Sequence, residues 1–353
     1  MLRKILLPSV AAIIGVSAWA QETAKEEEKP ATKFSGFVDV YYKYDLSNSA
    51  ANNYTSFTNS HNSFELGMAS LKVEHSIGKV SMVADLGFGK RAREFSYNDD
   101  GITASIKQLF VSYAAADWIK FTMGSWATHV GYELVDAPAN RNYSMAYMFS
   151  WGPFFHTGLK ADITAGKHGF MLGVANPTDL KFSPLTAKKY AIAQYSFAAS
   201  DNFKAYLNYV GGKRSVDSAK TNQVDLVVIG KVSDKFSIGY DGTVASTKTQ
   251  TGGKYGDAQS WWGSALYLNV DPKPSFGLTL RGELFDNKKY LLPIGTEGAS
   301  IFATTLSANI KVGSLIIIPE FRFESSGKDI YSNKSGTPKS SAANLLLAAV
   351  YTF

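Results

Sequence analysis

The chain has 353 residues, 45% of them hydrophobic, 13% aromatic and only 19% charged, a composition that excludes a disordered chain and can build a large folded domain. It contains no cysteine, which removes disulfides, thiolate metal sites and a lipid-bearing cysteine. The formal charge of +6 is a mild excess without the basic stripe of a nucleic-acid-binding protein. No internal run of about 18 apolar residues exists to cross a membrane as a helix, so a membrane location would require a closed β-barrel.

The N-terminus reads as an export signal. Arg3 and Lys4 precede an apolar core over residues 5–16, interrupted by Pro8, and Ser17-Ala18-Trp19-Ala20 ends in a small-x-small pattern. Residues 1–20 are expected to be a secretory signal peptide cleaved after Ala20. The remaining chain then carries 34 basic against 30 acidic residues, a net charge of +4. Residues 21–33, rich in Glu and Lys, read as a solvated periplasmic leader, with the barrel domain over residues 34–353.

From Phe34 onward the chain falls into paired strands. Residues 36–44 place Val38, Val40, Tyr42 and Tyr44 on one face and Asp39 and Lys43 on the other. A Lys or Arg turned to lipid at mid-membrane costs about 2–4 kcal/mol, so the charged face is assigned to the lumen. Residues 64–75 need a change of phase near Ala69, the mark of a bulge. Short turns at Ser76-Ile77-Gly78-Lys79, Ala115-Ala116-Asp117, Gly166-Lys167-His168-Gly169, Ser200-Asp201-Asn202, Ser233-Asp234-Lys235, Asp271-Pro272-Lys273-Pro274 and Gly313-Ser314 alternate with long polar intervals. That alternation matches short periplasmic turns and long extracellular loops. Residues 190–197 carry apolar side chains on both faces, whereas residues 315–324 alternate cleanly, with Glu320, Arg322 and Glu324 on one side. The chain ends Asn-Leu-Leu-Leu-Ala-Ala-Val-Tyr-Thr-Phe at Phe353. This pattern resembles the C-terminal strand by which outer-membrane barrels engage the barrel-assembly machinery. The count is about 16 strands in an all-β transmembrane antiparallel barrel; a soluble sandwich or propeller is the alternative, without a repeat of blade length to support it.

Residues 129–155 break the alternation. This third extracellular loop carries Tyr143, Tyr147, Met148, Phe149, Trp151, Phe154 and Phe155, too large an apolar load to stand in water. The expectation is that it folds into the barrel and narrows the lumen; capping the outer rim or contacting a neighbouring subunit is the alternative. Gly131-Tyr132-Glu133, Asn140-Arg141-Asn142-Tyr143-Ser144 and Gly152-Pro153-Phe154-Phe155-His156-Thr157-Gly158-Leu159, with the opening Ser35-Gly36-Phe37-Val38-Asp39-Val40-Tyr41-Tyr42, resemble the putative β-barrel porin-2 (OmpL-like) outer-membrane family. The resemblance implies an outer-membrane channel.

The expected activity is passive diffusion of small hydrophilic solutes or ions through a water-filled pore, without a cofactor, a metal or covalent chemistry. A substrate-selective binding channel and a structural or adhesive barrel without conductance are the other two classes. The five histidines occur singly, without metal-ligand spacing. At the constriction the loop residues Glu133, Asp136 and Arg141 are expected to oppose wall bases, with Lys120, Lys160 and Arg322 as candidates, because a low-dielectric wall focuses their field. The net charge of +4 favours weak anion selectivity unless local charge reverses it. Expected partners are outer-membrane lipids and the permeating solute, with a homotrimer by analogy to porins of similar strand number and no nucleic acid.

Overall fold

A strand with one face in hydrocarbon can satisfy its backbone only through neighbouring strands, and an open sheet would leave two unpaired edges. The chain removes the edges by closure. In the computed structural model, which describes residues 30–183, 188–214, 217–295 and 297–353, sixteen antiparallel strands pair in sequence order into one closed barrel. They are β1 (Ala31–Asp45), β2 (Ser63–Ile77), β3 (Val80–Phe88), β4 (Ile106–Ala116), β5 (Ile119–Ala127), β6 (Phe155–Ala165), β7 (His168–Ala175), β8 (Tyr190–Ser200), β9 (Phe203–Lys213), β10 (Lys220–Ser233), β11 (Phe236–Lys248), β12 (Gln259–Lys273), β13 (Phe276–Asp286), β14 (Ser300–Val312), β15 (Leu315–Ser326) and β16 (Ser341–Thr352). Residues 1–20, expected as a signal peptide, and most of the 21–33 leader lie outside the described residues. β1 begins at Ala31, earlier than the expected Phe34.

The closing pair, β1 with β16, runs from Phe37 opposite Thr352 to Asp45 opposite Asn344. Reciprocal backbone hydrogen bonds of 3.0 Å between Gly36 and Phe353 extend it. At one end of the barrel the hairpins turn in two residues each, as at Gly78-Lys79 and Gly313-Ser314; at the other the connections are long, reaching their maximum over residues 128–154. Two short helices lie in the long loops, α1 (Lys90–Phe95) and α2 (Tyr147–Trp151). Among the described residues no helix is long and apolar enough to cross a membrane.

Alternation sorts the side chains as the sequence demands. On β15, Phe321 and Phe323 are 40% and 39% exposed while Glu320, Arg322 and Glu324 are 4%, 2% and 3% exposed, so apolar groups cover the outside and charges line the inside. The phase change in β2 is a bulge at Gly67: Asp39 pairs with Met68 but Val40 with Leu66, two residues from the expected position. Strand length varies around the wall. β3 to β7 have 8 to 11 residues, whereas β10 to β12 have 13 to 15.

Candidate functional site

The third loop runs through the inside of the barrel, and its backbone shows why. A segment without regular structure must find partners for its N–H and C=O groups when it leaves water. Here the inward-facing wall side chains supply them. Asp225 on β10 accepts from the Gly131 N–H at 2.9 Å and Asp241 on β11 from the Tyr132 N–H at 3.1 Å. On the opposite side Glu320 of β15 accepts from the Tyr143 and Ser144 N–H groups at 2.8 and 3.2 Å, and Glu283 of β13 from the Tyr147 N–H at 2.8 Å. Arg281 and Arg322 donate to the Ser144 and Met145 carbonyls at 2.7 and 2.9 Å. The loop is thus stapled to strands from several sides of the cylinder.

The same residues form a buried ion-pair chain. Glu133 lies 2.6 Å from Arg281, Arg281 lies 3.4 Å from Glu283, and Arg322 lies 3.1 Å from Glu283 and 2.8 Å from Glu324. Tyr267 and the Ala146 N–H also donate to Glu133. Each charge is therefore compensated, as burial requires. Of the six residues expected at the constriction, Glu133 and Arg322 meet in this chain. The others stand elsewhere. Asp136 pairs with Lys107 of β4 at 2.6 Å, which also holds Asp85 at 3.1 Å. Arg141 forks onto Asp271 at 2.7 and 3.0 Å near the short-turn end and donates to Thr279. Lys160 pairs with Asp162 on its own strand at 3.1 Å and lies over Trp126. Lys120 is exposed close to the β4–β5 turn and makes no ion pair among the described residues.

Apolar packing completes the insertion. Tyr143, Met145, Phe149, Phe154 and Phe155 join Phe57 and Phe95 of the first two loops and Phe37 and Tyr41 of β1 in one buried cluster, and Arg91 of α1 stands 4.7 Å over the Tyr143 ring. The wall makes room with glycines. A Cβ on Gly239 of β11 would enter the Tyr132 ring, and one on Gly263 of β12 would enter Met148. Glycine inside a strand is the sequence mark of such close approach. The apolar inner face of β8 has the same origin: Tyr190 and Ile192 are covered by Val130 of the loop together with Trp126, Met171 and Val210.

The loop does not fill the lumen evenly. Beside β8 to β12 it leaves two cavities of about 450 and 420 Å³. The one toward the short-turn end is bounded by Tyr132, Arg141, Gln194, Asn208, Val227 and Asn269. The one toward the long-loop end is bounded by Trp151, Tyr190, Thr221, Gln223, Ala245 and Trp261. Amides, hydroxyls and aromatic rings dominate both. Sequence reasoning passed over Asp225, Asp241, Arg91 and Lys107. The first two were findable, since they fall on the inward parity of β10 and β11; the others needed the tertiary structure.

The ends of the loop are fixed by titratable groups. Asp179, in the β7–β8 connection, accepts from the Phe154 and Phe155 N–H groups at 2.7 and 3.0 Å and from the Tyr97 hydroxyl at 3.0 Å. Burial pushes its carboxyl up to about 7, against the lowering effect of these bonds. At the other end His129 donates through Nε2 to the Tyr209 carbonyl at 3.1 Å and stacks near His156, 5.0 Å between ring centres. Burial lowers His129 to about 4.

Comparison with known proteins places this geometry. The barrel is similar to an anion-selective porin from Comamonas acidovorans, with TM-score 0.63 and 12% identity over 92% of this chain and 100% of that one. It is also similar to the outer-membrane protein OmpT of Vibrio cholerae in a trimer form (0.62, 10%, 92% and 99%) and to OprD of Pseudomonas aeruginosa (0.51, 11%, 91% and 95%). At these identities the likeness establishes the fold. No curated protein matches the sequence. The profile of one family, described as Putative beta-barrel porin-2, OmpL-like, matches residues 31–353, essentially the whole barrel, and the chain belongs to that family of outer-membrane porins.

Proposed function

We propose that the barrel is a non-enzymatic channel through which small hydrophilic solutes or ions diffuse passively across the outer membrane. One observation carries the reading: two cavities bounded by amide, hydroxyl and aromatic side chains between the third loop and the β8–β12 wall, inside a barrel whose outer face is apolar. An aqueous path needs hydrogen-bonding groups along its length and a lipid-compatible exterior, and this wall has both. The residues expected at the constriction narrow the lumen chiefly by holding the loop: Glu133 and Arg322 through the ion-pair chain, Asp136 through Lys107, Arg141 through Asp271, while Lys120 and Lys160 contribute positive charge on the wall away from it. Export by a signal peptide over residues 1–20, assembly through Phe353 by the barrel-assembly machinery, contact with outer-membrane lipids and a homotrimeric state belong to the same proposal.

Planar-bilayer recording of the purified, detergent-folded protein tests it. Discrete conductance steps are expected, with a larger step after excision of the loop interior, and a shifted reversal potential in a salt gradient for Arg141→Glu and Glu133→Lys. A folded barrel that never conducts would sink the channel reading.

A further inference from the structure

The two cavities are separated by one layer of side chains, and that layer carries an uncompensated charge. Along β10 Gln223, Asp225 and Val227 are three successive inward-facing residues. Gln223 bounds the long-loop cavity, Val227 bounds the short-turn cavity, and Asp225 lies between them. On β11 Asp241 occupies the same level, diagonal to Asp225 in a register that pairs Asp225 with Thr243 and Val227 with Asp241, so the two carboxyl groups face one another. Each uses one oxygen toward the loop: Asp225 Oδ1 accepts from the Gly131 N–H and from Asn208 Nδ2 at 2.9 and 2.6 Å, and Asp241 Oδ2 from the Tyr132 N–H. The other oxygens, Asp225 Oδ2 and Asp241 Oδ1, are buried and have no hydrogen-bond donor.

This pair differs from the buried carboxylates on the other side of the wall, of which Asp45 at the end of β1 has no base within 4 Å among the described residues but accepts from Ser47, Ser49 and Asn52. Asp39, Asp85, Glu283 and Glu324 each have an Arg or Lys within 4 Å, and Glu320 commits both oxygens to loop N–H groups. Among the described residues neither Asp225 nor Asp241 has an Arg or Lys within 4 Å, and one oxygen of each is left without a donor. A carboxyl pair with no neighbouring base leaves its negative charge uncompensated. The flanking residues of β10 are two positions away, about 7 Å along the strand, which is inside the screening length of about 8 Å at physiological salt. The field of the pair therefore reaches both cavities. The bases on the cavity walls are weaker competitors: Arg141 is neutralised by Asp271, Lys231 by Asp234 and Arg214 by Asp217. Among the described lysines and arginines that bound the cavities, Lys204 alone lacks an ion-pair partner.

We propose that Asp225 and Asp241 are the residues that set ion specificity, making this layer cation-preferring although the chain as a whole is basic. The proposal rests on the channel reading and goes beyond it. The test is the reversal potential in a potassium chloride gradient across a planar bilayer, for the unmodified protein, for Asp225→Asn, Asp241→Asn and the double variant, and for Asp257→Asn on an exposed loop as control. Asparagine keeps a carbonyl acceptor for the loop N–H groups, and heat-dependent gel mobility verifies that each barrel has folded. The unmodified channel is expected to favour potassium, the double variant to lose that preference several-fold or reverse it, each single variant to fall between, and the control to leave it unchanged. Conductance with an anion preference in the unmodified protein would overturn the proposal even if no variant folds. A cation preference untouched in the folded double variant would overturn it as well, while the channel reading would stand. Absence of any conductance would remove both.

Discussion

The two halves of the lumen are built from the same alternating strands and have opposite characters. On β13 and β15 the inward positions include long charged side chains, Arg281, Glu283, Glu320, Arg322 and Glu324, all at most 4% exposed and joined to the third loop or to one another. Beside β8 to β12 they are mostly amides, hydroxyls and aromatics such as Gln194, Asn208, Asn269 and Tyr190, with Asp225 and Asp241 as the carboxylates that hold the loop there, and open space remains. The difference teaches that charge in a barrel interior need not mean a charged pore. Charges of both signs attract a loop that carries backbone dipoles and a matching acid, and the complex they form excludes water; neutral polar groups make no such demand and leave the water in place.

The comparison breaks most severely at Arg281. Replacing it in Arg281→Ala leaves Glu133 and Glu283 buried with one shared base gone, and a loss of about 3–5 kcal/mol is expected for breaking a buried pair by removing one partner. Urea titration of the folded barrel, followed by gel mobility, measures it; a loss under 1 kcal/mol, the level of an exposed pair, would mean that this half is wetter than its geometry. Next comes the socket beneath the loop. Gly263→Val places methyl groups where Met148 lies, and overpacking of this kind costs about 1–3 kcal/mol. The same substitution at Gly282 of β13, which has open space around it, provides the comparison and is expected to cost less.

A smaller effect follows from pH at the boundary between the halves. Asp179 has its carboxyl raised from 3.8 to about 7, so the folded protein holds this proton more tightly than the unfolded chain. Its contribution is present in acid and is lost as pH rises from about 4 through about 7. His129 acts in the opposite sense, since its value falls from 6.5 to about 4: stability is lost as pH drops through that interval. Asp179→Asn is therefore expected to flatten the decline toward neutral pH and expose the acid-side loss due to His129. Urea midpoints at pH 4, 5.5 and 7.5 decide it, and an unchanged profile would contradict the assignment. The smallest effect belongs to the open half. Gln194→Ala removes its bonds to Asn208 and the His129 carbonyl at about 0.5–1.5 kcal/mol, while widening the short-turn cavity enough to read as a small rise in single-channel conductance.

The contrast between the halves also separates what was legible in the sequence from what was not. Faces were legible, because period-two alternation is local: Phe321 and Phe323 point out and Glu320 and Arg322 point in, as residues 315–324 imply. The strand count and the short turns followed from the same periodicity. The inward lean of residues 129–155 could be argued from their aromatic load, but not the partners they would find. Arg281 meets Glu133 across a sequence separation of 148 residues, and only closure of the barrel brings them together. The same holds for Asp225 and Asp241. Each is an ordinary inward aspartate on its own strand, and their lack of a base is a property of the assembled interior. Gly67 shows the limit at short range: the need for a bulge was visible, but its position depended on the register with β1.

The uneven strand lengths have a consequence for the surrounding bilayer. On β7 the large apolar side chains facing outward run from Phe170 to Val174, on β12 from Trp262 to Val270, which correspond to about 13 and 26 Å along the strand at the usual rise per residue. A lipid leaflet pair of uniform thickness cannot match both sides of such a wall. Beside β7 the acyl chains must compress, tilt the barrel or give way to another apolar surface, each at a fraction of a kcal/mol per Å of mismatch. The molecule is therefore not equivalent in all directions within the plane of the membrane: the apolar band it presents is about half as long beside β7 as beside β12.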